Sequence, residues 1–300
     1  NTIAESSFDA KLIKIQPTAP DLKIEQQDSR ISITGDLKAL TTYTVTFDKT
    51  LTDEYGQKLG TNLVTRFTTG KREPAVEQRD QLVTLPKFAS PVFSIKAQGI
   101  PQIKITVRKV KPAYWCEYAN IPEPKYKTKI KGQIVETKVV SVGQNKKTIE
   151  VNLAPHLTRG YGHLIVTVES LGTKPDQVQG TATWVQVTNL GADVTSGNTL
   201  TTLVTNLTDG KFVQGATVQM LPAKSTATTG EDGLARLLAP DKTVDRQAVL
   251  ISKGDDTSIT ANRNYQAWLK TQIPLSLKWY LVTDRNLYKP GETVNFKGYC

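Results

Sequence analysis

The chain has 300 residues; 38% are hydrophobic, 22% are charged, and Lys plus Arg outnumber Asp plus Glu by 38 to 28. This composition excludes an intrinsically disordered chain, and the length predicts two or three domains. No apolar run reaches the roughly 18 residues of a transmembrane helix, so no membrane span is predicted. The chain does not begin with methionine and contains one methionine, Met220, which favours a piece of a longer protein.

Short β-strands account for almost every readable segment. Apolar and polar residues alternate with a period of two, the pattern of half-buried strands, and turn signals separate them at the spacing of β-sandwiches. The predicted fold class is therefore all-β, with tandem sandwich domains. The clearest apolar series are Ile31 and Ile33; Tyr43, Val45 and Phe47; Ile103, Ile105 and Val107, alternating with Lys104, Thr106 and Arg108; and Ile149, Val151 and Leu153. Turns are predicted at Asp53 to Gly56, Val142 to Asn145, Asp209-Gly210 and Asp232-Gly233.

One segment departs from this pattern. KPAYWCEYANI, residues 111–121, contains a proline suited to the first turn of a helix. Tyr114 and Tyr118 are four positions apart, as on one face of a helix. A single short helix near 112–121 is therefore predicted between strands.

Domain boundaries are placed where strands run into glycine, proline and charged residues. They divide the chain into 1–71, 72–188, 189–276 and 277–300. The last segment is expected to hold the first strands of a further, truncated domain. Each complete unit has the size of one sandwich core, so we expect independent domains in series rather than one large catalytic globule.

The sequence gives little support for a catalytic role. A hydrolytic triad needs a nucleophile, an imidazole and an acid within hydrogen-bond reach. The two histidines, His156 and His163, lie in APHLTRGYGHLI, which does not have the strand-turn-helix form of a nucleophile elbow. Both are predicted to be surface histidines of a loop or strand. The chain is predicted not to be an enzyme, with no catalytic, cofactor-binding or metal-binding residue.

Two carboxylate pairs, Glu231-Asp232 and Asp255-Asp256, could serve acid–base catalysis or calcium binding. Both lie in glycine-containing turns, TGEDG and KGDDT, where aspartate commonly accepts hydrogen bonds from its own turn. A turn-forming role is therefore favoured. Cys116 and Cys300 leave two alternatives, a disulfide bond and two buried free thiols, of which the thiols are favoured.

The positive charge raises the question of nucleic-acid binding. The densest basic segment, residues 109–132, interleaves aromatic residues with lysines, as proteins that bind single strands do. Lysines scattered along alternating strands are more typical of a solvated sheet face, so no nucleic-acid partner is predicted. A basic rim facing acidic partners or anionic lipid headgroups stays open.

A compact motif lies in TDRNLYKPGETVNFKG, residues 283–298. Pro290-Gly291 predicts a type II turn with glycine at positive φ, and Val294 and Phe296 predict a half-buried strand after it. The motif resembles the sequence that opens a macroglobulin domain in the α-macroglobulin family. The residues that carry the resemblance, as a structural family motif, are Asp284, Arg285, Tyr288, Lys289, Pro290, Gly291 and Glu292.

The resemblance extends to earlier segments. Residues 183–262 are similar to the preceding domain of the bacterial members, with its DGKFVQGA hairpin and TTGEDGLA turn. Residues 1–70 resemble a bacterial immunoglobulin-like module through LTTYTVTF, DEYGQKL and FTTG. Residues 72–182 are assigned to the family by position rather than by motif.

The family resemblance implies a protease trap, in which a frame of macroglobulin domains carries a bait segment and cleavage of the bait releases a conformational change. In many members a cysteine–glutamine thioester then captures the protease. Cys116-Glu117-Tyr118-Ala119 has no glutamine in the fourth place and is not such a site. The predicted function is therefore a scaffold segment of a bacterial α-2-macroglobulin-like endopeptidase inhibitor for colonisation or defence, with bait and any thioester outside these residues.

The implied partners are proteases, met through the full-length protein, and other periplasmic or envelope proteins. The implied location is the periplasm or cell envelope after export, with membrane association only through other regions. An alternative function is the stalk of a surface adhesin built from immunoglobulin-like repeats. A third, less favoured, is an enzyme such as a glycosidase that carries accessory β-modules.

Overall fold

The computed structural model describes residues 8–27, 30–77, 80–123, 125–223, 225–239, 246–261, 268, 280–283, 291 and 293–299. Strands β1 to β22 and helix α1 are numbered in chain order. The chain divides into two compact units: residues 1–75 with 97–101 and 142–147, and residues 76–96, 102–141 and 148–300.

The first unit is a β-sandwich. Its larger sheet has the order β1-β4-β5, and a two-stranded sheet, β2-β3, packs against it. The alternation predicted around Tyr43 and Val45 is confirmed, because both side chains are buried with Ile13 and Ile15. The strands are β1 (Ile13–Gln16), β2 (Lys23–Gln27), β3 (Arg30–Thr34), β4 (Thr42–Phe47) and β5 (Leu63–Thr68).

The second unit contains two sandwiches, of which the first is here called the central sandwich. Its five-stranded sheet has the order β10-β9-β12-β13-β7, and its three-stranded sheet the order β11-β8-β6. β12 runs antiparallel to β9 and β13, whereas β7 joins the edge parallel to β13. The strands are β6 (Ala75–Val76), β7 (Leu82–Pro86), β8 (Val92–Gln98), β9 (Ile100–Lys109), β10 (Gln133–Gly143), β11 (Lys147–Asn152), β12 (Gly162–Leu171) and β13 (Gly180–Thr188).

The second of the two is called the third sandwich. Its sheets have the orders β14-β15-β18 and β17-β16-β19-β20. Leu200, Val204, Val218 and Ile251 are fully buried between them. The strands are β14 (Leu190–Ser196), β15 (Thr199–Asn206), β16 (Thr217–Leu221), β17 (Thr226–Thr228), β18 (Leu234–Leu238), β19 (Ala248–Lys253) and β20 (Asp256–Ala261).

The short helix predicted near 112–121 is confirmed. A 3₁₀ turn, Pro112–Tyr114, leads into α1, Trp115–Ala119. The Lys125 ammonium donates hydrogen bonds to the carbonyls of Tyr118 and Ile121, at 3.0 and 2.7 Å, and so satisfies carbonyls that a helix end leaves unpaired. In the described part of the chain no helix is long and apolar enough to span a membrane.

Helix α1 and the two sandwiches of the second unit share one apolar core. Trp115 and Tyr118 pack on Trp184 of β13, and the same cluster contains Ala248 of β19 and Ile259 of β20. The all-β sandwich fold is as predicted. The expectation of independent domains in series is wrong for this pair, because each sandwich covers apolar side chains of the other.

On either side of the predicted motif, β21 (Tyr280–Thr283) pairs antiparallel with β22 (Phe296–Tyr299). Gly291 has φ 87°, the positive value that the predicted turn requires. The prediction of a half-buried strand at Val294 and Phe296 is wrong, because Val294 lies before β22 and the two side chains are 46% and 68% exposed. No described strand covers the face of this two-stranded ribbon. The other motif residues lie outside the described residues: Asp284, Arg285, Tyr288, Lys289, Pro290 and Glu292.

Candidate functional site at the junction of two sandwiches

The central and third sandwiches are joined through a single residue. β13 ends at Thr188 and β14 begins at Leu190, so only Asn189 separates them. Around this point the edge of the third sandwich formed by β20 meets the outer face of β12 and β13. We call this region the junction; its polar members are His163, Gln186, Thr188, Asn189, Asp256 and Thr257.

Asp256 is the charged group of the junction. It is 6% exposed, and its carboxylate accepts a hydrogen bond from the Thr188 hydroxyl at 2.5 Å and one from the Asn189 backbone N–H at 2.9 Å. Burial raises the pKa of the Asp256 carboxyl, and these hydrogen bonds oppose that rise. The carboxylate therefore holds the residues that connect the two sandwiches.

Gln186 pairs its side-chain amide with the backbone of β20. Its Oε1 accepts from the N–H of Ile259 at 2.7 Å, and its Nε2 donates to the carbonyl of the same residue at 3.0 Å. Nε2 also donates to the Thr84 hydroxyl at 2.8 Å, which extends the network to β7. Because an amide side chain presents the same donor and acceptor as a peptide group, Gln186 takes the place of a neighbouring strand at this point.

His163 is buried, with 3% of its surface exposed, which corrects the prediction of a surface histidine. The strand pattern placed it on the outer face of β12, and β20 of the third sandwich covers that face. Its Nδ1 accepts from the Trp184 indole N–H at 3.0 Å, so Nε2 carries the proton and faces the Thr257 hydroxyl at 3.0 Å. Burial lowers the pKa of His163 to about 4. The ring is therefore neutral near pH 7 and serves as a hydrogen-bonded spacer.

His156 occupies a different environment. Its Nε2 lies 2.7 Å from Oε2 of Glu136 on β10, and Lys138 lies 3.0 Å from the other carboxylate oxygen. Hydrogen bonds from His156 and Lys138 lower the pKa of the Glu136 carboxyl. The three groups form a hydrogen-bonded cluster on the central sandwich.

The two carboxylate pairs have unequal roles. Asp232 accepts from the Leu234 N–H at 3.0 Å, the predicted turn interaction. Asp255 is exposed and forms an ion pair with Arg159 at 2.5 Å. For Asp256 the prediction of a turn role alone is wrong, since it is buried against residues of β13. Among the described residues no cluster of His, Cys, Asp and Glu has the arrangement of a metal site.

Cys116 is a free thiol whose Sγ lies 3.6 Å from the carbonyl oxygen of Arg246. Burial raises the pKa of the Cys116 thiol, which disfavours the reactive thiolate. Cys300 lies outside the described residues. The environment of Cys116 is that of a half-buried packing residue at the edge of the apolar core.

The sequence carries a signal for the junction that lies outside its motifs. Gln186 and Thr188 stand in phase with Trp184 on β13, and His163 stands in phase with Ile165 on β12. Polar residues in the phase of large apolar ones indicate a face that is covered yet hydrogen-bonded. The pattern does not identify the covering surface, because β20 begins 68 residues after Thr188.

Fold and junction together define a class of protein: a framework of β-sandwiches in which buried polar side chains fix one sandwich against another. Residues 1–69 match the family model of a bacterial Ig-like domain. An α-2-macroglobulin homolog of Nostoc sp. is 25% identical over 349 aligned positions, covering 96% of the chain and 17% of that relative. The chain thus spans less than a fifth of this relative's length.

One solved structure with a TM-score above 0.5 supports the fold. A crystal structure of native α-2-macroglobulin from Escherichia coli spanning domains MG0, NIE and MG1 aligns with 87% of the chain and 88% of its own length, at 15% identity and a TM-score of 0.53. A structure of Salmonella α-2-macroglobulin covers 99% of the chain and 20% of its own length, at 16% identity and a TM-score of 0.46. The predicted resemblance to bacterial α-2-macroglobulins is confirmed.

Proposed function

We propose that the chain is the scaffold segment of a bacterial α-2-macroglobulin-like protease-trapping inhibitor. The segment positions a bait region and any thioester that lie in other parts of the longer protein. The similarity to the Nostoc relative along 96% of the chain supports the assignment. The same similarity supports export to the periplasm or cell envelope, with proteases as the partners of the full-length protein.

The junction is the observation that carries this proposal. A trap that responds to one cut needs two discrete arrangements, and it therefore needs domains that do not drift between intermediate positions. The hydrogen bonds that Asp256 accepts from Thr188 and Asn189, and those that Gln186 forms with β20, are directional, so they are satisfied in one arrangement of the two sandwiches. The apolar core around Trp184 stabilises the contact between the two sandwiches, and the polar groups determine the position of one sandwich relative to the other.

In this mechanism the segment contributes no chemical step. Its residues hold the central and third sandwiches together as one rigid body. Strain released elsewhere by bait cleavage then moves this body as a whole and does not break the contacts between its two sandwiches. His163 fits this role, because its neutral ring with one donor and one acceptor satisfies Trp184 and Thr257 without introducing a charge.

The proposal is tested with the full-length protein and a broad-specificity protease. After incubation, cleavage of a large protein substrate and of a short peptide substrate are measured in parallel. A trap retards digestion of the large substrate, whereas the small substrate still reaches the enclosed protease. The 300-residue chain alone is expected to give no lasting inhibition and no covalent adduct.

A junction variant makes the test specific to the scaffold role. Gln186→Ala combined with Asp256→Ala in the full-length protein should weaken protection from digestion, while Asp255→Ala at the neighbouring exposed carboxylate should not. Equal protection by the double variant, or stoichiometric inhibition by the 300-residue chain, would contradict the proposal.

A further inference from the structure

A polar cavity of about 110 Å³ lies on the outer face of the five-stranded sheet, beside the apolar core around Trp184. Strands β9 and β12 form its floor, and the segment after α1 forms its roof. Its lining contains two basic groups, one carboxylate and four hydroxyl groups. The lining residues are Lys104, Thr106, Arg108, Tyr126, Thr128, Ile130, Thr167 and Glu169.

The floor arises from the pairing of β9 with β12. Thr106 lies opposite Thr167, and Lys104 lies opposite Glu169. The alternation of the strands sends these four side chains to the outer face, while Ile103, Ile105 and Val107 face the interior of the sandwich. The sequence pattern predicted a solvated face here. Instead Thr106 is only 9% exposed, because the roof segment covers it.

The roof is held in place by its own contacts. Lys125 is anchored by the carbonyls at the end of α1, and the Tyr126 hydroxyl donates to the Val178 carbonyl at 3.2 Å. A side chain at Gly180 would meet the Tyr126 ring at 2.7 Å, so glycine allows the ring to lie directly on β13. The cavity is thus bounded by fixed elements on both sides.

Several polar groups of the cavity have no protein partner. The Thr167 hydroxyl oxygen is buried and accepts or donates no hydrogen bond among the described residues. Neither Arg108 nor Lys104 forms an ion pair or hydrogen bond within the described part of the chain. Since buried polar groups are nearly always hydrogen-bonded, the buried Thr167 hydroxyl indicates a bound group that comes from solution, whereas Arg108 is half-buried and Lys104 is exposed at the rim.

The charge around the cavity favours an anion. Residues 104–132 contain eight basic and two acidic residues, so they carry six of the chain's net ten positive charges. In the cavity itself Lys104 faces the Glu169 carboxylate across the strand pair. These two opposite charges offset each other. Arg108 lies opposite the apolar Ile165, so it gives the cavity a net positive charge.

We propose that this cavity binds a small oxyanion of the phosphate type. The Arg108 guanidinium presents the planar pair of donors that suits two oxygens of one phosphate, and the hydroxyls of Thr106 and Thr167 add donors from the floor. A volume of about 110 Å³ has room for one tetrahedral ion, since a cavity that holds one water molecule needs roughly 10–15 Å³ by the same measure. Glu169 lies at the far side beside Lys104 and restricts the site to one anionic group.

The phosphate could be a free ion or ester, or the headgroup of an anionic lipid, and two measurements separate these sources. Titration of the 300-residue chain with sodium phosphate is followed by calorimetry and by backbone amide shifts of β9 and β12, with sodium chloride at equal ionic strength as reference. Flotation with phosphatidylcholine vesicles, with and without phosphatidylglycerol, then tests the lipid.

Arg108→Gln should weaken phosphate binding about tenfold, because it removes a charge-assisted pair of hydrogen bonds. Arg236→Gln, the same change at an exposed position of β18, should leave binding unchanged. Thr106→Val, which keeps the shape of the side chain and removes the hydroxyl, should also weaken binding and serves if Arg108→Gln does not fold. Melting curves report the folding of each variant.

Saturable phosphate binding that is lost in Arg108→Gln and kept in Arg236→Gln supports the proposal. Arg108-dependent flotation with phosphatidylglycerol then identifies the headgroup as the source, and phosphate binding without flotation identifies a soluble oxyanion. Absence of saturable phosphate binding to the unmodified chain would overturn the proposal, and so would equal losses in the Arg108 and Arg236 variants.

Discussion

The hydroxyl of Thr188 donates a hydrogen bond of 2.5 Å to the carboxylate of Asp256, and so ties the last residue of β13 to the first residue of β20. The same hydroxyl accepts from the backbone N–H of Leu190 at 2.9 Å, at the start of β14. One side chain therefore connects three strands where the chain passes from one sandwich to the next.

Replacing Asp256 by alanine should lower the free energy of unfolding by roughly 3 kcal/mol, because the Thr188 hydroxyl and the Asn189 N–H lose their acceptor while buried. Asp255→Ala is the matched control. Its carboxylate is exposed and pairs with the exposed Arg159, so we expect a loss below about 1 kcal/mol. Urea unfolding of both variants gives the comparison, and similar losses at the two positions would show that the junction does not depend on Asp256.

Acid should destabilise the protein through His163. The unfolded chain takes up a proton at His163 near pH 6.5, whereas burial lowers the pKa in the folded chain to about 4. The stabilisation is therefore complete above pH 6.5 and is lost as the pH falls towards 4, by about 3 kcal/mol over this range. Unfolding free energies measured across this range should fall less steeply for His163→Gln than for the unmodified chain. Identical slopes would mean that His163 titrates normally in the fold.

The turn at Gly291 should not tolerate a side chain. Its φ of 87° lies in the left-handed region, while no atom lies within 4 Å of the position that a Cβ would take, so Gly291→Ala should cost about 1 kcal/mol through backbone strain alone. Gly70, where the surroundings are equally open and φ is not positive, is the control, and its alanine variant should be neutral. Hydrogen exchange of the β21 and β22 amides reports the local effect. Unchanged hydrogen exchange in Gly291→Ala would contradict the assignment of a type II turn at Gly291.

Much of the fold follows from local sequence patterns. Alternation predicts β4 and β11 because each has one face in a core and one face towards solvent. Helix α1 follows from the proline and tyrosine spacing in residues 111–121, and Gly291 from its place after proline. These features depend on residues close together in the chain, so a single sequence is enough to predict them.

The candidate site depends on contacts that local patterns do not contain. Asp255 and Asp256 look alike in the sequence, and only the position of β13 makes one exposed and the other buried. Thr106 and Arg108 read as a solvated strand face until the segment that follows α1 covers them. His163 reads as a surface residue until β20 lies over it. In each case the deciding partner comes from a distant segment, so the pattern gives the strand and not its environment.

The central claim is that the central and third sandwiches form one cooperative body held by the junction. Native-state hydrogen exchange of the unmodified chain measures this most directly, through the free energies of opening of amides in β12 and β13 and in β19 and β20. We expect one common value for the two sets, and an equal decrease of both in Gln186→Ala. Clearly different values for the two sets, or a decrease confined to β20, would contradict the claim.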